Sequence, residues 1–484
     1  MDEQPNVLLI CTDHWPASLF GVAGHPAIQT PTLDTLARAG IHFTNAYSEC
    51  PVCIPARRTL MTGTPPRTHG DRVFRDAQLP DVPTLAQTFR DAEYQAYAVG
   101  KLHVFPQRDR IGFDDVILAE EGRLQYGVID DYELFLGDQG YAGQQFTHGM
   151  CNNGYLNRPW HLPEHCHVTN WTTQQMARMI QRRDPTRPGF WYLSYCHPHP
   201  PLDPLQCYVD MYREIVPPEP YCGEWARDFD TLPYTLKGNA GEGKTFTEHQ
   251  VRSARRAFYA MCTHIDHQIR VVIGTLQEEG LLDNTIIMFT SDHGDMLGNH
   301  GLWAKCLFYE DSANVPMILV GATSDNRVGH HRTDDRLAGW QDVMPTLLDL
   351  CGIDIPSSVE GISMVAEQKR EYLYGECREG SLATRMIHEG RYKLIYYGCG
   401  NRTQLFDLEE DPNECRDLSE SVSHTEIRDR LTDILIGELY GSDEEWVQDG
   451  KLAGIPDQEY SPRPNRSLSG QRGSHWPGLQ KPRK

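Results

Sequence analysis

Long apolar runs are missing from this chain: none approaches the roughly 18 residues that a membrane-spanning helix requires, which excludes such a helix. Basic residues are also scarce, with 45 Lys and Arg against 67 Asp and Glu and a formal net charge of −22. A chain this acidic is a poor general binder of nucleic acid or of anionic membrane, and neither is expected as a partner. An anionic substrate would have to be drawn in by a local cluster of metal and basic side chains. No basic stretch precedes the first apolar run, Asn6 to Cys11, and that run is too short for the core of a secretion signal. The expectation is a cytoplasmic protein, in which most of the 14 cysteines are reduced and buried. There is no internal repeat. What the chain does have is apolar mass: 484 residues, 39% of them hydrophobic and 10% aromatic, suffice for a large core and exclude wholesale disorder.

Strands alternate with helices along most of the length. Val7 to Thr12 is a continuous Val, Leu and Ile run of the kind found in a sheet covered on both faces, and it ends in Asp13-His14. Thr30-Pro31 opens a helix that closes near Gly40, and Ile41 to Phe43 is extended. Thr84 to Ala92 predicts a short helix and Tyr94 to Val99 a strand, followed directly by Gly100-Lys101-Leu102-His103. Phe190 to Tyr195 predicts another strand, stopped by the prolines of His197-Pro198-His199-Pro200-Pro201. From Val251 to Glu279 an apolar stripe through Phe258, Cys262, Ile265, Ile269, Val272 and Leu276 predicts a long helix, which Gly280 stops. Asn284 to Thr290 predicts a buried strand delivering Ser291-Asp292-His293-Gly294-Asp295. Asn314 to Val320 predicts one more strand and Val343 to Leu350 a helix. Ionisable residues thus sit repeatedly just past the carboxyl ends of strands, the edge at which open, mostly parallel α/β sheets bind ligands.

From about residue 370 the pattern changes. Arg391 to Tyr397 and Gln404 to Leu408 predict paired strands, followed by a helix near Glu426 to Leu439. Residues 461 to 484 carry six basic residues, no acidic one and no apolar periodicity. The expected organisation is a catalytic domain over 1–369, a small antiparallel α+β subdomain over 370–460 and a basic tail over 461–484. Charge complementarity with the acidic body would let that tail lie along a neighbouring subunit of a homo-oligomer.

The most informative stretch is Cys50-Pro51-Val52-Cys53-Ile54-Pro55-Ala56-Arg57, with Leu60 and Thr62-Gly63 after it. Its Cys53-x-Pro55-x-Arg57 resembles the signature of the type I sulfatases of the alkaline phosphatase superfamily. Gly100-Lys101-x-His103, Pro198-His199-Pro200-Pro201, Ser291-Asp292-His293-Gly294 with Lys305 beyond it, and the segment Arg391 to Glu414 are similar to further family segments, in the family's order over roughly residues 5 to 440. The resemblance implies an alkaline-phosphatase-like fold: a large mixed, mostly parallel sheet between helices, with a small C-terminal antiparallel subdomain. It also implies that Cys53 is converted to formylglycine by a formylglycine-generating enzyme that reads the motif.

The residue chemistry agrees. Carboxylates at one sheet edge suit a hard divalent cation such as Ca²⁺ or Mg²⁺, and a histidine widens the choice to Mn²⁺. A plain thiolate is a soft donor and matches such a cation poorly. An aldehyde hydrate offers one oxygen to the cation and one to attack sulfur. The resemblance places the metal, Ca²⁺ first and Mn²⁺ second, on Asp13, Cys53, Asp292 and His293. It gives Arg57 the hydrate, Lys101 and Lys305 the sulfate oxygens, His103 the proton of the remaining hydroxyl and His199 the bridging oxygen. His197 competes with His199 by position, while His69 and His300 read as structural. Many family members carry paired acids at the first strand end and Asp-Asn at the second. His14 and His293 stand there instead, a pattern closer to the choline-sulfatase and phosphonate monoester hydrolase branches. Whether His14 is a ligand stays open, and Arg75 lies where the family often has an asparagine.

The expected substrate is a small-molecule or carbohydrate sulfate ester, with a phosphonate monoester or phosphodiester as the alternative. Tyr126, Tyr132, Trp160 and Trp225 are candidate walls for the alcohol half. A redox or zinc reading of Cys50-x-x-Cys53 lacks both the thioredoxin-like context and a second cysteine pair. A binding protein that never acquires formylglycine is the third reading.

Overall fold

The buried strand β1 (Asn6–Thr12) lies within an eight-stranded sheet of a computed structural model that describes residues 4–75, 77–122, 128–243 and 245–461. Tyr126 and the basic tail after Ser461 lie outside the described residues. The other strands are β2 (Ile41–Phe43), β3 (Gln95–Gly100), β4 (Asp115–Leu118), β5 (Gly189–Ser194), β6 (Thr285–Ser291), β7 (Met317–Val320) and β8 (Arg332–Asp334). They are ordered β4-β3-β5-β1-β6-β7-β2-β8. The five from β4 to β6 run parallel and β7 is antiparallel to both of its neighbours, so the sheet is mixed and mostly parallel. Register sets the functional edge. Gly100 and Cys11 both pair with Ser194, and Thr12 pairs with Ser291, so four parallel strands end level.

Alternation along β1 sends Val7, Leu9 and Cys11 into one apolar cluster and Leu8 and Ile10 into another. Helices cover both faces: α1 (Pro31–Ala39), α2 (Cys53–Thr62), α3 (Val168–Gln181), α4 (Glu248–Glu278) and α5 (Val343–Leu350). The helix α4 is set by a reciprocal capping box between Thr247 and Gln250, and its stripe from Phe258 to Leu276 is buried against the sheet. Sequence periodicity passes over α3 because three threonines and an asparagine occupy its buried face beside Trp171, Met176 and Ile180. Among the described residues no helix is long and apolar enough to cross a membrane.

The C-terminal sheet has four antiparallel strands rather than the two expected: β9 (Leu373–Cys377), β10 (Thr384–His388), β11 (Tyr392–Tyr397) and β12 (Arg402–Asp407). The first two are disguised by inward charges. Glu376 and Arg385 face each other across β9 and β10, and both are buried. Their neutralising partners come from afar: Arg72 lies 3.0 Å from Glu376, and Asp443 lies 2.5 Å from Arg385 and 2.7 Å from Arg72. The final helix α6 (Thr425–Glu438) buries Leu431 and Leu435 against Leu394, Tyr396 and Leu405.

Candidate active site

Cys53 is the first residue of α2, a helix buried along its whole length. Pro55 is tolerated in that first turn because its missing N–H has no helical acceptor there, and Gly63, at φ 64°, ends the helix. The Cys53 Sγ lies 2.7 Å from Lys305 Nζ, 3.3 Å from His293 Nε2 and 3.7 Å from Asp13 Oδ1. Burial, with the Asp13 charge beside it, pushes this thiol up to about 11, so an unmodified Cys53 is a neutral thiol at physiological pH.

The strand ends supply the rest. One ligand atom each from Asp13, Cys53, Asp292 and His293 lie within 4.8 Å of one another, all buried. Asp13 and Asp292 follow the level ends of β1 and β6, while α2 lays Cys53 over the same edge. His293 Nδ1 is 2.9 Å from the Gly294 carbonyl, which can only accept. The neutral ring therefore carries its proton on Nδ1 and turns the Nε2 lone pair toward Asp13 Oδ1, 3.3 Å away. Asp292 Oδ1 is buried without a hydrogen-bond partner. Lone pairs and carboxylate oxygens facing one another at such distances repel unless a cation sits among them, so this donor set fits a divalent metal.

Basic side chains surround the carboxylates. Lys101 Nζ bridges Asp13 and Glu121, and Arg57 reaches Asp292 with Nε at 3.1 Å. Arg57 Nη1 donates to the Lys101 carbonyl, Tyr192 and Ser194 at 2.8–3.0 Å, which leaves Nη2, 3.9 Å from Asp13, without a hydrogen-bond partner. Burial pushes the Asp13 carboxyl up, but Lys101, Lys305, His199 and His293 outweigh it and hold it well below the usual range. Burial and the neighbouring Asp13 raise Asp292.

His199 and His14 stack edge-on, 4.4 Å between ring centres. His199 Nδ1 donates to the Pro200 carbonyl at 2.7 Å, and its buried Nε2 has no partner. His14, at φ 69°, is pinned by Asp295 Oδ2 at 2.7 Å, and its Nε2 lies 3.8 Å from Asp13. Asp295 also accepts from Tyr155 at 2.6 Å and from the Leu297 backbone at 2.9 Å. His103 lines a crevice with Ile54 and Arg57, and its backbone N–H donates to Glu120 at 2.8 Å.

Other expectations are placed elsewhere. His197 faces Asp203 at 3.3 Å, His69 bonds Thr59 at 3.0 Å, and His300 accepts from Gly223 at 3.0 Å. Tyr132 is core, with its hydroxyl on the Cys166 carbonyl, and Trp225 stacks on Tyr309, so neither walls the site. Trp160 packs against His161 and His167, in the second histidine cluster. Cys50 turns to the Arg72 carbonyl, away from Cys53. Sequence reading passed over Asp295, although it lies just past the predicted strand that delivers Asp292, and over Glu121, which follows the strand β4 that the sequence did not announce.

That second cluster, His148, His167, His197 and Asp203, is shaped by hydrogen bonds rather than by a cation. The Met150 and Thr169 backbone N–H groups donate to Nδ1 of His148 and His167, at 2.9 and 3.2 Å. Both neutral rings therefore carry their protons on Nε2, where a cation would need a lone pair.

Carboxylates, an imidazole and a helix-borne cysteine meeting at the edge of a mostly parallel sheet, with two lysines and an arginine over them, define a hydrolase with the alkaline-phosphatase-like fold. The phosphonate monoester hydrolase of Agrobacterium radiobacter superposes with a TM-score of 0.78 over 90% of this chain and 95% of its own, at 22% identity. The chain belongs to the sulfatase family: the family model described as Sulfatase matches residues 5–353, and that of the N-sulphoglucosamine sulphohydrolase C-terminal region matches residues 298–439. An arylsulfatase of Clostridium perfringens is 35% identical, covering 93% of this chain and 97% of the relative. A choline-sulfatase of Rhizobium meliloti is 31% identical, covering 86% and 83%.

Proposed function

We propose that this enzyme hydrolyses an organic sulfate monoester with a nucleophile made from Cys53 and a divalent cation held by Asp13, Cys53, Asp292 and His293. The observation that carries the reading is the convergence of those four donors under Lys101, Lys305 and Arg57 in a chain of the sulfatase family. When present, formylglycine supplies a hydrated aldehyde in place of the thiol, and the cation supplies Lewis acidity. Ca²⁺ is the proposed ion, and the His293 nitrogen also suits Mn²⁺.

The chain's own residues do the remainder. Lys101 and Lys305 carry fixed charge toward the sulfate oxygens, where negative charge is greatest in the transition state. Arg57 is anchored by three acceptors through Nη1 and by Asp292 through Nε, which leaves Nη2 to face the nucleophile. His199 keeps one proton on Nδ1, so it serves the leaving oxygen from Nε2, as a donor when the ring is doubly protonated. Burial holds this imidazole well below its usual range, so the resting ring is neutral and the doubly protonated donor form is the minor one. His103 is the proposed acceptor of the proton released when sulfate departs.

Phosphonate monoester or phosphodiester hydrolysis is the second reading. It is favoured by the Asp292–His293 pair and by the similar size and charge of the two reacting centres. Parallel kinetics on an aryl sulfate and the matching aryl phosphonate test the order: kcat/KM is expected to be higher for the sulfate, and the reverse order moves the assignment. Lys305→Ala is expected to lower kcat/KM on the sulfate by about 10²- to 10³-fold, and a loss below threefold removes Lys305 from the reaction.

A further inference from the structure

Lys305 stands between two residues in the left-handed region, Ala304 at φ 63° and Cys306 at φ 70°. Neither is glycine, and side-chain-bearing residues hold that conformation when their surroundings impose it. The imposing contacts can be followed along the chain. The Ala304 N–H donates to Asp295 Oδ1 at 3.2 Å, and the Cys306 N–H donates to the Pro51 carbonyl at 2.9 Å. The segment between them is clamped by Asn239, a buried residue of a helix (Tyr234–Gly243) that runs ahead of α4. Its Nδ2 donates to the Trp303 carbonyl at 2.7 Å and to the Lys305 carbonyl at 3.0 Å, and the Trp303 N–H returns to the Asn239 carbonyl at 3.3 Å. Both acceptors are carbonyls, so the amide must turn its NH₂ toward them, and one hydrogen goes to each. The helix is itself braced. Leu236 and Ala240 share an apolar cluster with Cys306 and Leu307, and Thr235 donates to the Leu382 carbonyl, between β9 and β10, at 2.9 Å.

We propose that Asn239 is a positioning residue for the reaction: by clamping the carbonyls on either side of the left-handed Ala304, it sets the place of the Lys305 ammonium over Cys53. The inference rests on the role given to Lys305 in the reading above. A lysine is a point charge on a flexible four-carbon stem, and its value to a reacting group depends on where its backbone is fixed. Here Nζ lies 2.7 Å from the Cys53 Sγ, so a small drift of the 303–305 segment moves the charge off the nucleophile. Asn239 supplies what that segment needs, two donors on one short, planar side chain. An aspartate has the same shape and no donor, and a serine has one.

The test is a double-substitution cycle on the full-length enzyme. Asn239→Ala is expected to lower kcat/KM on the aryl sulfate about 10- to 100-fold in the parent and by less than about twofold when Lys305 is already alanine, because a group that acts through Lys305 then has nothing left to place. Asn239→Asp should fall at least as far. Equal losses in the two backgrounds, or a loss below about threefold in the parent, overturn the assignment. Asn239→Ser keeps one donor, and the same comparison of backgrounds is made with it if the alanine variant does not fold. The unmodified protein gives a readout without turnover. Calorimetric binding of inorganic sulfate should weaken about five- to tenfold on Asn239→Ala in the parent and less than about twofold in the Lys305→Ala protein. A sulfate affinity that Asn239→Ala leaves unchanged also overturns the inference. If the aryl phosphonate is the better substrate, the sulfate-ester reading fails while the same cycle, run on the phosphonate, still decides Asn239. A Lys305→Ala loss below about threefold removes this inference together with the role of Lys305.

Discussion

Replacing Cys53 with alanine is expected to lower kcat for sulfate-ester hydrolysis by about 10⁴-fold or more, because a nucleophile removed from a concerted site takes the rest of its machinery with it. The fold should persist, with a melting temperature within a few degrees of the parent. Cys53 Sγ touches polar groups, Lys305, His293 and Asp13, rather than apolar packing, so its loss opens little cavity. The unmodified protein is expected to be nearly as inert as the variant. With its thiol raised to about 11, less than one Cys53 in a thousand is a thiolate at neutral pH, by roughly four units of separation. Activity across preparations should therefore follow the fraction of modified peptide seen by mass spectrometry around residues 50–58. A fully active preparation with Cys53 entirely as thiol would sink the assignment.

Asp292→Asn is expected to weaken divalent-cation binding by at least about 100-fold while leaving the metal-free protein as stable as before or slightly more so. The two signs differ for a physical reason. Asp292 Oδ1 has no hydrogen-bond partner, and losing its charge would remove a principal attraction for a hard ion. Without metal, the same charge is a burden. Burial and Asp13 raise its folded pKa above the unfolded value, so its contribution to stability is full at low pH and is lost as pH rises through the folded pKa. An amide does not ionise, accepts from Arg57 as the carboxylate does, and escapes that loss. Metal content by elemental analysis and melting temperature against added Ca²⁺ or Mn²⁺ check both halves. The parent should gain stability with ion concentration and the variant should not. Parent-like metal content in the variant would remove Asp292 from the ligand set.

Much of the sheet could be read in the chain because β1, β3, β5 and β6 are apolar runs ended by polar residues, and level endings follow from parallel pairing. Most motif residues could be read for the same reason, since they lie near a strand end or on the helix beside it; Lys305 comes instead from the loop well beyond β6. Three things were hidden. Helix α3 is polar on its buried face, and β9 and β10 carry inward charges whose partners lie 304 residues away for Glu376 and 58 for Arg385. Glu121 stands past the short, half-buried strand β4, where no strong apolar run announces it. The alcohol pocket was sought among large aromatics, but Tyr132 is core and Trp225 stacks on Tyr309. Local patterns report what a residue does to its neighbours in sequence, and these positions are governed by neighbours in space.

The complete burial of α2 has a consequence in time. A side chain with no exposed surface cannot be reached by another protein once the helix has docked, so any conversion of Cys53 belongs to the interval before closure. On the proposed conversion of Cys53, maturation and folding would run as a race from the moment the segment leaves the ribosome. A molecule that folds first keeps its thiol for as long as it stays native, because reopening would require unfolding around the central sheet. The active fraction of a preparation would be a record of relative speeds, written once per molecule, rather than a measure of how stable the finished enzyme is.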